Sequence, residues 1–361
     1  MITAVVMVGE SGGESDVESW VQDARRQAAL DLLEQLANQP AIDQLVLVTP
    51  GMDGLEEAPF SCYVESQPGP LHVGRTLAEI VERHGVSKLL YFGGGSAPLL
   101  EDDSLDSLAS NLITSSQGVF TNNRYASDWA GIAPASIISK WKERLPQDNM
   151  IGWVLSTEAD LPIDSQQISS STRLDIDTPT DLLTLRLHPR VKRHLRQYID
   201  NLPLDTAALE NALSVLSTPA SQVFIAGRIS PNVWATLNEI TNCWIRVVSE
   251  ERGMVSSGRL KRGEVFSLLA DYITRLGLRG VFDILSDHSQ AAFIDTRVLL
   301  AHQRSWPSRS DRFHSDLGLA DQIEDPWLRE LTATAQDAPI PVILGGHGLL
   351  SGDMLALCEI L

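Results

Sequence analysis

TAVVMVG, at residues 3–9, is an uninterrupted apolar run that ends in glycine, and it has the length of a buried β-strand. Residues 18–38, ESWVQDARRQAALDLLEQLAN, follow with apolar side chains at helical spacing. A second apolar run, IDQLVLVTPG, comes next at residues 42–51. A strand, a helix and a strand in this order predict a βαβ unit whose parallel strands are buried on both faces.

The same alternation continues through the first half of the chain. Residues 74–85 predict a helix that ends at Gly85, and SKLLYFGGG at residues 87–95 predicts another strand. Further strands are predicted at GVFTNN (118–123), IGWVLS (151–156) and TRLDID (172–177). We therefore expect an α/β fold, with a mainly parallel sheet sandwiched by helices.

The second half resumes the alternation after a change in composition. Residues 186–200, RLHPRVKRHLRQYID, are basic and interrupted by proline, unlike the segments before them. This segment predicts a domain boundary near residue 190, with one domain at 1–190 and a second α/β domain of unknown role at 191–361. In the second domain, Ser230 and Pro231 predict the start of a helix as its N-cap and first residue.

The bulk composition excludes several classes of partner. The chain has 361 residues and a formal net charge of −19, which argues against nucleic acid or an anionic membrane surface as the main partner, since both require a basic surface. The three cysteines are far apart, so no disulfide framework is expected. The N-terminus lacks a basic leader, and no run reaches the roughly 18 apolar residues of a membrane span. These features predict a cytoplasmic protein.

RLDIDTPTDL, at residues 173–182, combines a helix start with two further acids. Thr178 is suited to the N-cap and Pro179 to the first helical position, and Asp181 places a carboxylate in the first turn. Asp175 and Asp177 have no role in that helix start. On a strand they would share one face and repel each other, and a divalent cation would remove the repulsion. The residues alone leave two interpretations open: a metal-binding pair, or solvated acids at a strand end.

DIDTPTDL also resembles the closing motif of small nucleotidyltransferases of the nucleotide-diphospho-sugar transferase (GT-A) fold, which is Rossmann-like. These are the molybdenum-cofactor guanylyltransferases, the phospholactate guanylyltransferases and the methylerythritol-phosphate cytidylyltransferases. The resemblance implies that the first acid of the motif, here Asp175, helps to hold Mg²⁺ near a nucleoside triphosphate, with Asp177 as its neighbour.

Two further stretches are similar to parts of the same family. LLYFGGGSAPLL (89–100) resembles the central strand, where the family places an aspartate two residues before a proline, and that spacing falls on Ser96. TNNRYASDWAGIAP (121–134) resembles the acceptor-side segment, which implies substrate contacts from Asn122, Asn123 and Asp128. The simpler interpretations are a glycine turn after a buried strand and a polar loop.

The N-terminal loop departs from the family pattern, in which a glycine-rich loop is followed by an arginine and a lysine. Here acidic residues surround the glycines, and no basic residue precedes Arg25. An acidic loop repels a triphosphate unless a metal intervenes. The resemblance nevertheless implies a set of residues that lie at the nucleotide: Gly9, Gly12, Gly13, Gly94, Gly95 and Ser96.

Two segments of the second half could bind an anion. SEERGMVSSGRLKRGE (249–264) carries Arg252, Arg259, Lys261 and Arg262, and a solvated loop is the alternative. LGGHGLLSGD (344–353) is a glycine-rich turn between a strand and a helix, whose amides could hold a phosphate and whose His347 could be a ligand or a base. An ordinary glycine turn is the alternative there.

The sequence as a whole predicts a Mg²⁺-dependent nucleotidyltransferase that moves a nucleotide from a nucleoside triphosphate to a small phosphorylated acceptor. Two alternatives remain: a glycosyltransferase that uses a nucleotide sugar, and a non-catalytic nucleotide- or metabolite-binding protein on the same fold. A homodimer is compatible with the sequence.

Overall fold

The computed structural model describes residues 1–10, 12–59, 61–66 and 71–361. The chain divides into two compact units. The first unit comprises Met1–Gly12, Gln22–Asp175 and Arg190–Tyr198, and the second comprises Gly13–Val21, Ile176–Pro189 and Ile199–Leu361. The division into domains at residue 190 stays a prediction.

The strands and helices follow one another in the alternating order expected of an α/β protein. The strands are β1 (Ile2–Met7), β2 (Ile42–Thr49), β3 (Cys62–Ser66), β4 (Lys88–Gly93), β5 (Gly118–Thr121), β6 (Trp129–Ala133), β7 (Ile163–Ser165), β8 (Gln222–Gly227), β9 (Trp244–Ser249), β10 (Ala291–Asp295) and β11 (Val342–Gly345). The helices are α1 (Asp16–Ala37), α2 (Val73–His84), α3 (Asp102–Thr114), α4 (Ile137–Trp141), α5 (Ile151–Trp153), α6 (Ser170–Arg173), α7 (Pro179–Leu187), α8 (Arg193–Asp200), α9 (Ala207–Ser217), α10 (Pro231–Ile240), α11 (Arg259–Arg262), α12 (Leu268–His288), α13 (Thr296–His302), α14 (Arg309–Asp316), α15 (Pro326–Gln336) and α16 (Gly352–Cys358).

The sheet of the first unit has the strand order β3-β2-β1-β4-β6-β5-β7. β1 pairs in parallel with β2 and β4, whereas β6 is antiparallel to both of its neighbours. Ile2, Ala4 and Val6 of β1 pack with residues of α1 and α3 on one face, and Val5 and Met7 pack with residues of α2 and α4 on the other. The prediction of a mainly parallel sheet buried on both faces is therefore confirmed.

Two of the predicted strands are wrong. Residues 151–156 form α5 and the beginning of a π-helical turn, Val154–Glu158. The buried side chains there are Ile151, Val154 and Leu155, at helical spacing, and a short apolar run does not distinguish a buried strand from a helix. Residues 172–177 contain the end of α6 and an extended segment with a single bridge, not a strand.

The second unit contains a four-stranded parallel sheet in the order β11-β10-β8-β9. Residues of α12 and α15 pack in its hydrophobic core. The predicted start of α10 is confirmed, because Ser230 Oγ accepts a hydrogen bond from Val233 N at 3.2 Å and Pro231 is the first helical residue. In the described part of the chain, no helix is long and apolar enough to cross a membrane.

Candidate functional site

A tight turn at residues 93–96 ends β4 in the first unit, next to the carboxyl end of β1. Gly94 N donates a hydrogen bond to Met7 O at 2.5 Å, and a Cβ on Gly94 would lie only 2.8 Å from the same oxygen. Gly95 has a φ of 97°, in the region that favours glycine. Both glycines are therefore required by the backbone, whatever they bind.

Asp175 lies directly beside Ser96. The two residues form an isolated antiparallel bridge, and Ala97 N donates to Leu174 O at 3.2 Å. The structure thus brings together the two positions at which the resemblance places metal ligands. Ser96, however, is 3% exposed and its hydroxyl donates to Gly93 O at 2.7 Å, so that hydroxyl serves the turn.

Residues 174–177 do not form the predicted strand, but buried and more exposed side chains still alternate along them. Leu174 and Ile176 are buried, Asp175 is half-buried and Asp177 is exposed. The predicted helix start is confirmed, because Asp181 Oδ2 accepts the N–H groups of Asp177 and Thr178 at 2.7 and 2.6 Å. Asp175 belongs to the first compact unit and Asp177 to the second. Their joint role at a metal stays a prediction.

Arg25 is a residue of this site that the sequence presented only as the first basic residue after the acidic loop. It extends from α1, and its Nε donates to Gly94 O at 2.8 Å. A Cβ on Gly95 would lie 2.7 Å from Arg25 Cγ, so the side chain passes directly over the turn. Its position next to the buried stripe of α1 was the available signal, since a long side chain there reaches the strand ends.

Asp148 and Tyr91 were missed by the sequence reasoning. Tyr91 is buried, and its hydroxyl donates to Asp148 Oδ2 at 3.0 Å. Burial raises the pKa of Asp148, while the Tyr91 hydroxyl and the charge of Arg25 oppose that rise. A Cβ on Gly93 would lie 3.1 Å from Asp148 Oδ2, which places the carboxyl beside the turn. No motif marks Asp148, because its neighbours in space are distant in sequence.

The predicted acceptor-side residues hold their own loop together. Asn122 is 2% exposed; its Nδ2 donates to Asp128 Oδ2 at 2.6 Å, and its Oδ1 accepts from Asp128 N at 3.1 Å. Asn123 Oδ1 accepts from Tyr125 N at 3.1 Å. These hydrogen bonds within the loop are a structural reason for asparagine and aspartate at these positions. Contact of the three residues with a substrate stays a prediction.

Arg173 adds a second guanidinium to the first unit's charged groups. Burial lowers its pKa and the charge of Asp128 opposes the shift, so the two groups are electrostatic neighbours. Its Nε is buried and has no hydrogen-bond partner among the described residues. A buried donor without a partner is costly, and an anionic ligand would satisfy it.

The three glycines of the N-terminal loop, Gly9, Gly12 and Gly13, lie in different local environments. Gly9 O accepts from Arg26 Nη1 at 2.5 Å, and Gly12 has a φ of 77°. Gly13 lies in the second unit, where a Cβ would come within 2.4 Å of Glu18 Cβ. The structure therefore gives Gly12 a conformational role and Gly13 a packing role, but none that requires glycine at position 9, and contact of the three residues with a nucleotide stays a prediction.

Arg26 is the least expected residue of this region. It is 1% exposed, and besides Gly9 O it donates to Asp53 O at 2.5 Å and to Gly51 O at 2.6 Å. Its guanidinium thus joins the loop after β1 to the loop after β2. It acts as a structural residue and is not available to a ligand.

The residues around Asp175 meet the modest requirement of a Mg²⁺ site. Mg²⁺ is commonly held by one or two carboxylates together with substrate phosphates and water, and Asp175 supplies one such carboxylate. A different group, away from Asp175, has three acidic or histidine side chains close enough to share an ion. Among the described residues it consists of Asp31, Glu34 and His194. Asp31 there accepts the N–H groups of His194 and Leu195, both at 2.9 Å, and so caps α8.

No family model matches the chain, and no curated protein matches it. Among solved structures, a cytidylyltransferase from Leptospira borgpetersenii serovar Hardjo-bovis is similar, with 16% identity over 55% of this chain and 91% of that chain, at a TM-score of 0.41. A 4-diphosphocytidyl-2C-methyl-D-erythritol synthase from Anaerococcus prevotii is similar with 13% identity over 50% of this chain and 94% of that chain, at a TM-score of 0.36. Because these identities and TM-scores are low, the two structures are reported only as similar ones. The assignment of an α/β fold is based on the strand order and pairing of the sheet.

Proposed function

We propose that the first unit contains a nucleotidyltransferase site, which binds a nucleoside triphosphate at the carboxyl ends of β1 and β4. The observation that carries the proposal is the bridge between Asp175 and Ser96, since it puts the acid of the DIDTPTDL motif at the turn that ends β4. Ligands of open α/β sheets generally bind beyond the carboxyl ends of the strands.

The charges around the turn support a phosphate-bearing ligand. Arg25 lies over Gly95, and Arg173 has a buried Nε without a partner among the described residues. These two guanidinium groups would orient the phosphates. Gly94 and Gly95 allow the close packing of Met7 and Arg25 against this turn, and their contact with a nucleotide stays a prediction.

Asp175 would hold Mg²⁺, and a role for Asp177 stays a prediction from the sequence. When bound, the ion would neutralise phosphate charge as an acceptor oxygen attacks the α-phosphorus and pyrophosphate leaves. Asn122, Asn123 and Asp128 would contact the phosphorylated acceptor, in a loop that their own hydrogen bonds keep rigid. The cytoplasmic location and a homodimer stay predictions from the sequence.

A thermal-shift experiment with GTP and with CTP, each with and without MgCl₂, tests this proposal. We expect Mg²⁺-dependent stabilisation by at least one of them, reduced about tenfold in apparent affinity by Asp175→Asn, because a lost ligand to a charged group removes more than 1 kcal/mol. Asp164→Asn is the matched control, because Asp164 is an exposed acid on β7 of the same unit. Equal effects of the two variants, or no response to either nucleotide, would contradict the proposal.

The environment of Ser96 favours a second candidate, a nucleotide-binding protein without catalysis. Its hydroxyl is committed to Gly93 O, so the family's second metal ligand has no substitute at that position. Nucleotide binding without pyrophosphate release, across a panel of small phosphorylated acceptors, would select this candidate. Stabilisation by nucleotide sugars alone would instead indicate a glycosyltransferase.

A further inference from the structure

A row of large apolar side chains is exposed along α12 of the second unit. Its members recur at intervals of four or eight residues and are Leu268, Tyr272, Leu276 and Ile284, which we call the α12 stripe. Each is between 48 and 55% exposed. Other side chains of the same helix, such as Leu269 and Ile273, already pack in the hydrophobic core. The α12 stripe is therefore a second apolar surface of a helix whose core-facing side is already buried.

The α12 stripe lines an open groove of about 290 Å³ beside the sheet. α12 bends at Gly277, whose φ is 74°, and all four side chains of the stripe still line this groove. The rest of the lining is also apolar and consists of Phe224, Val248, Leu269, Val281 and Leu285. Among the described residues, none that lines the groove is charged. The groove is therefore suited to apolar side chains of a protein surface and offers little to a polar ligand.

β9 lies at the edge of the sheet next to this groove, and its outer side is open. It pairs in parallel with β8, and no strand in the described part of the chain pairs with its other side. Trp244 N and Glu250 N donate to carbonyl groups at the two ends of β8, at 2.7 and 3.0 Å. Because successive residues of a strand point their backbone groups to alternate sides, those of Ile245, Val247 and Ser249 face outward. β9 contains neither proline nor lysine, the residues that commonly protect such an edge from pairing.

The exposed apolar area is about what one side of a protein dimer requires. Trp244 is 68% exposed, and it shares a face of β9 with Val248, which lines the groove. At roughly 100 Å² for each half-exposed large side chain, Trp244 and the α12 stripe together present about 500 Å² of apolar surface. A standard interface takes about 800 Å² from each partner, of which roughly 450 Å² is apolar.

The charges of α12 are arranged so that the helix complements a copy of itself. Arg275 and Arg279 precede Asp283 and Asp287 along the helix, and all four are exposed. Two such helices placed antiparallel bring the arginines of each opposite the aspartates of the other, and this favours association although the chain has a net charge of −19. The exposed contact between Arg279 and Asp283 within one helix is compatible with this arrangement. A two-fold axis beside β9 produces the antiparallel orientation.

We propose that the second unit binds a second copy of this chain about a two-fold axis, with the outer sides of two β9 strands paired antiparallel and the two α12 stripes packed together. The partner's apolar side chains then close the groove, and the two four-stranded sheets join into one. This surface lies in the second unit alone. Dimerisation and the nucleotide binding proposed for the first unit can therefore fail independently of each other.

Sedimentation velocity of the full chain, over about a hundredfold range of concentration, tests the proposal. We expect a species of twice the chain mass of 39.5 kDa. Leu276→Glu should raise its dissociation constant by at least about tenfold, because a two-fold interface receives each introduced charge twice. Ile113→Glu is the matched control, since Ile113 is a helical apolar residue of similar exposure, 51% against 49%. It should change the dissociation constant by less than about twofold, and circular dichroism checks that both variants fold.

Three results would overturn the proposal. One is a monomer at every concentration, and an apolar fluorescent dye that binds this monomer but not Leu276→Glu would then assign the groove to a small apolar ligand. Another is a dimer that Leu276→Glu leaves intact, or that both variants weaken equally, because the interface would then lie elsewhere. The third is hydrogen exchange at the amides of Ile245 and Val247 that stays unprotected in the dimer, since paired β9 edges would protect them.

Discussion

The carboxyl ends of the strands carry polar groups in both units, but the two sets are used differently. In the first unit the groups bind one another: Tyr91 donates to Asp148, and Asn122 donates to Asp128. In the second unit the turn at residues 346–348 keeps its amides without partners among the described residues. The first set is joined by side-chain hydrogen bonds around a turn, whereas the second consists of backbone amides. A sequence motif leads to the first, and a glycine-rich segment of the sequence leads to the second.

The stability of the second unit should depend most strongly on one buried ion pair. Arg297 Nη1 and Nη2 donate to Asp316 at 2.5 and 2.6 Å, and both side chains are buried. Arg297→Met would leave Asp316 unpaired in the interior, and we expect a loss of about 3–5 kcal/mol in the free energy of unfolding. Urea denaturation measures it.

The exposed Arg275 of α12 provides the control for this variant. Arg275→Met should change the free energy of unfolding by less than about 1 kcal/mol, because exposed charges contribute little. Similar losses in the two variants would show that Asp316 is solvated or paired elsewhere, and would remove the contrast between buried and exposed charge.

The second unit also holds two buried carboxyl groups that interact electrostatically, Asp181 and Asp353. Burial raises the pKa of both, that of Asp353 from 3.8 to about 6. The folded state therefore binds more protons than the unfolded state above pH 3.8, and this pair's contribution to stability falls as the pH rises through that range.

Asp353→Asn should reduce this pH dependence. Between about pH 5 and pH 8 the free energy of unfolding should fall less in the variant than in the unmodified chain, because one of the two titrating groups is gone. Chemical denaturation at both pH values provides the comparison. An unchanged difference between the two pH values would show that the pair does not titrate in this range.

The smallest effect is expected in the first unit. Tyr91→Phe removes the hydroxyl that donates to Asp148 and should cost about 1–3 kcal/mol, since the partly buried carboxylate loses a donor. The pKa of Asp148, already raised by burial, should rise further, and a carbon-detected NMR titration would show it. A lowered or unchanged pKa would mean that the hydroxyl does not stabilise the ionised form.

Several elements of both units could be predicted from local patterns. The apolar run of β1, the helical spacing in α1 and the caps at Thr178 and Ser230 depend on neighbours in sequence, and the structure confirms them. The prediction of a strand at residues 151–156 was wrong, because an apolar run of six residues fits both the two-residue period of a strand and the 3.6-residue period of a helix.

The candidate sites show what local patterns cannot supply. The motif led to Asp175, but nothing in the sequence indicated that Asp148 and Arg25 would meet at the same turn, since those contacts join segments far apart in the chain. The turn at residues 346–348 was recognisable by its glycines. The position of the α12 stripe beside the open edge of β9 depends on the strand order of the sheet, which no single segment contains.

Arg26 has a consequence for the order in which the chain folds. All the carbonyl groups that it contacts lie in the first 54 residues, at Gly9, Gly51 and Asp53. Contacts between segments close in sequence cost little loop-closure entropy and form early. The β1-α1-β2 unit can therefore assemble around this guanidinium before the rest of the sheet, and substitutions of Arg26 should slow folding more than they accelerate unfolding.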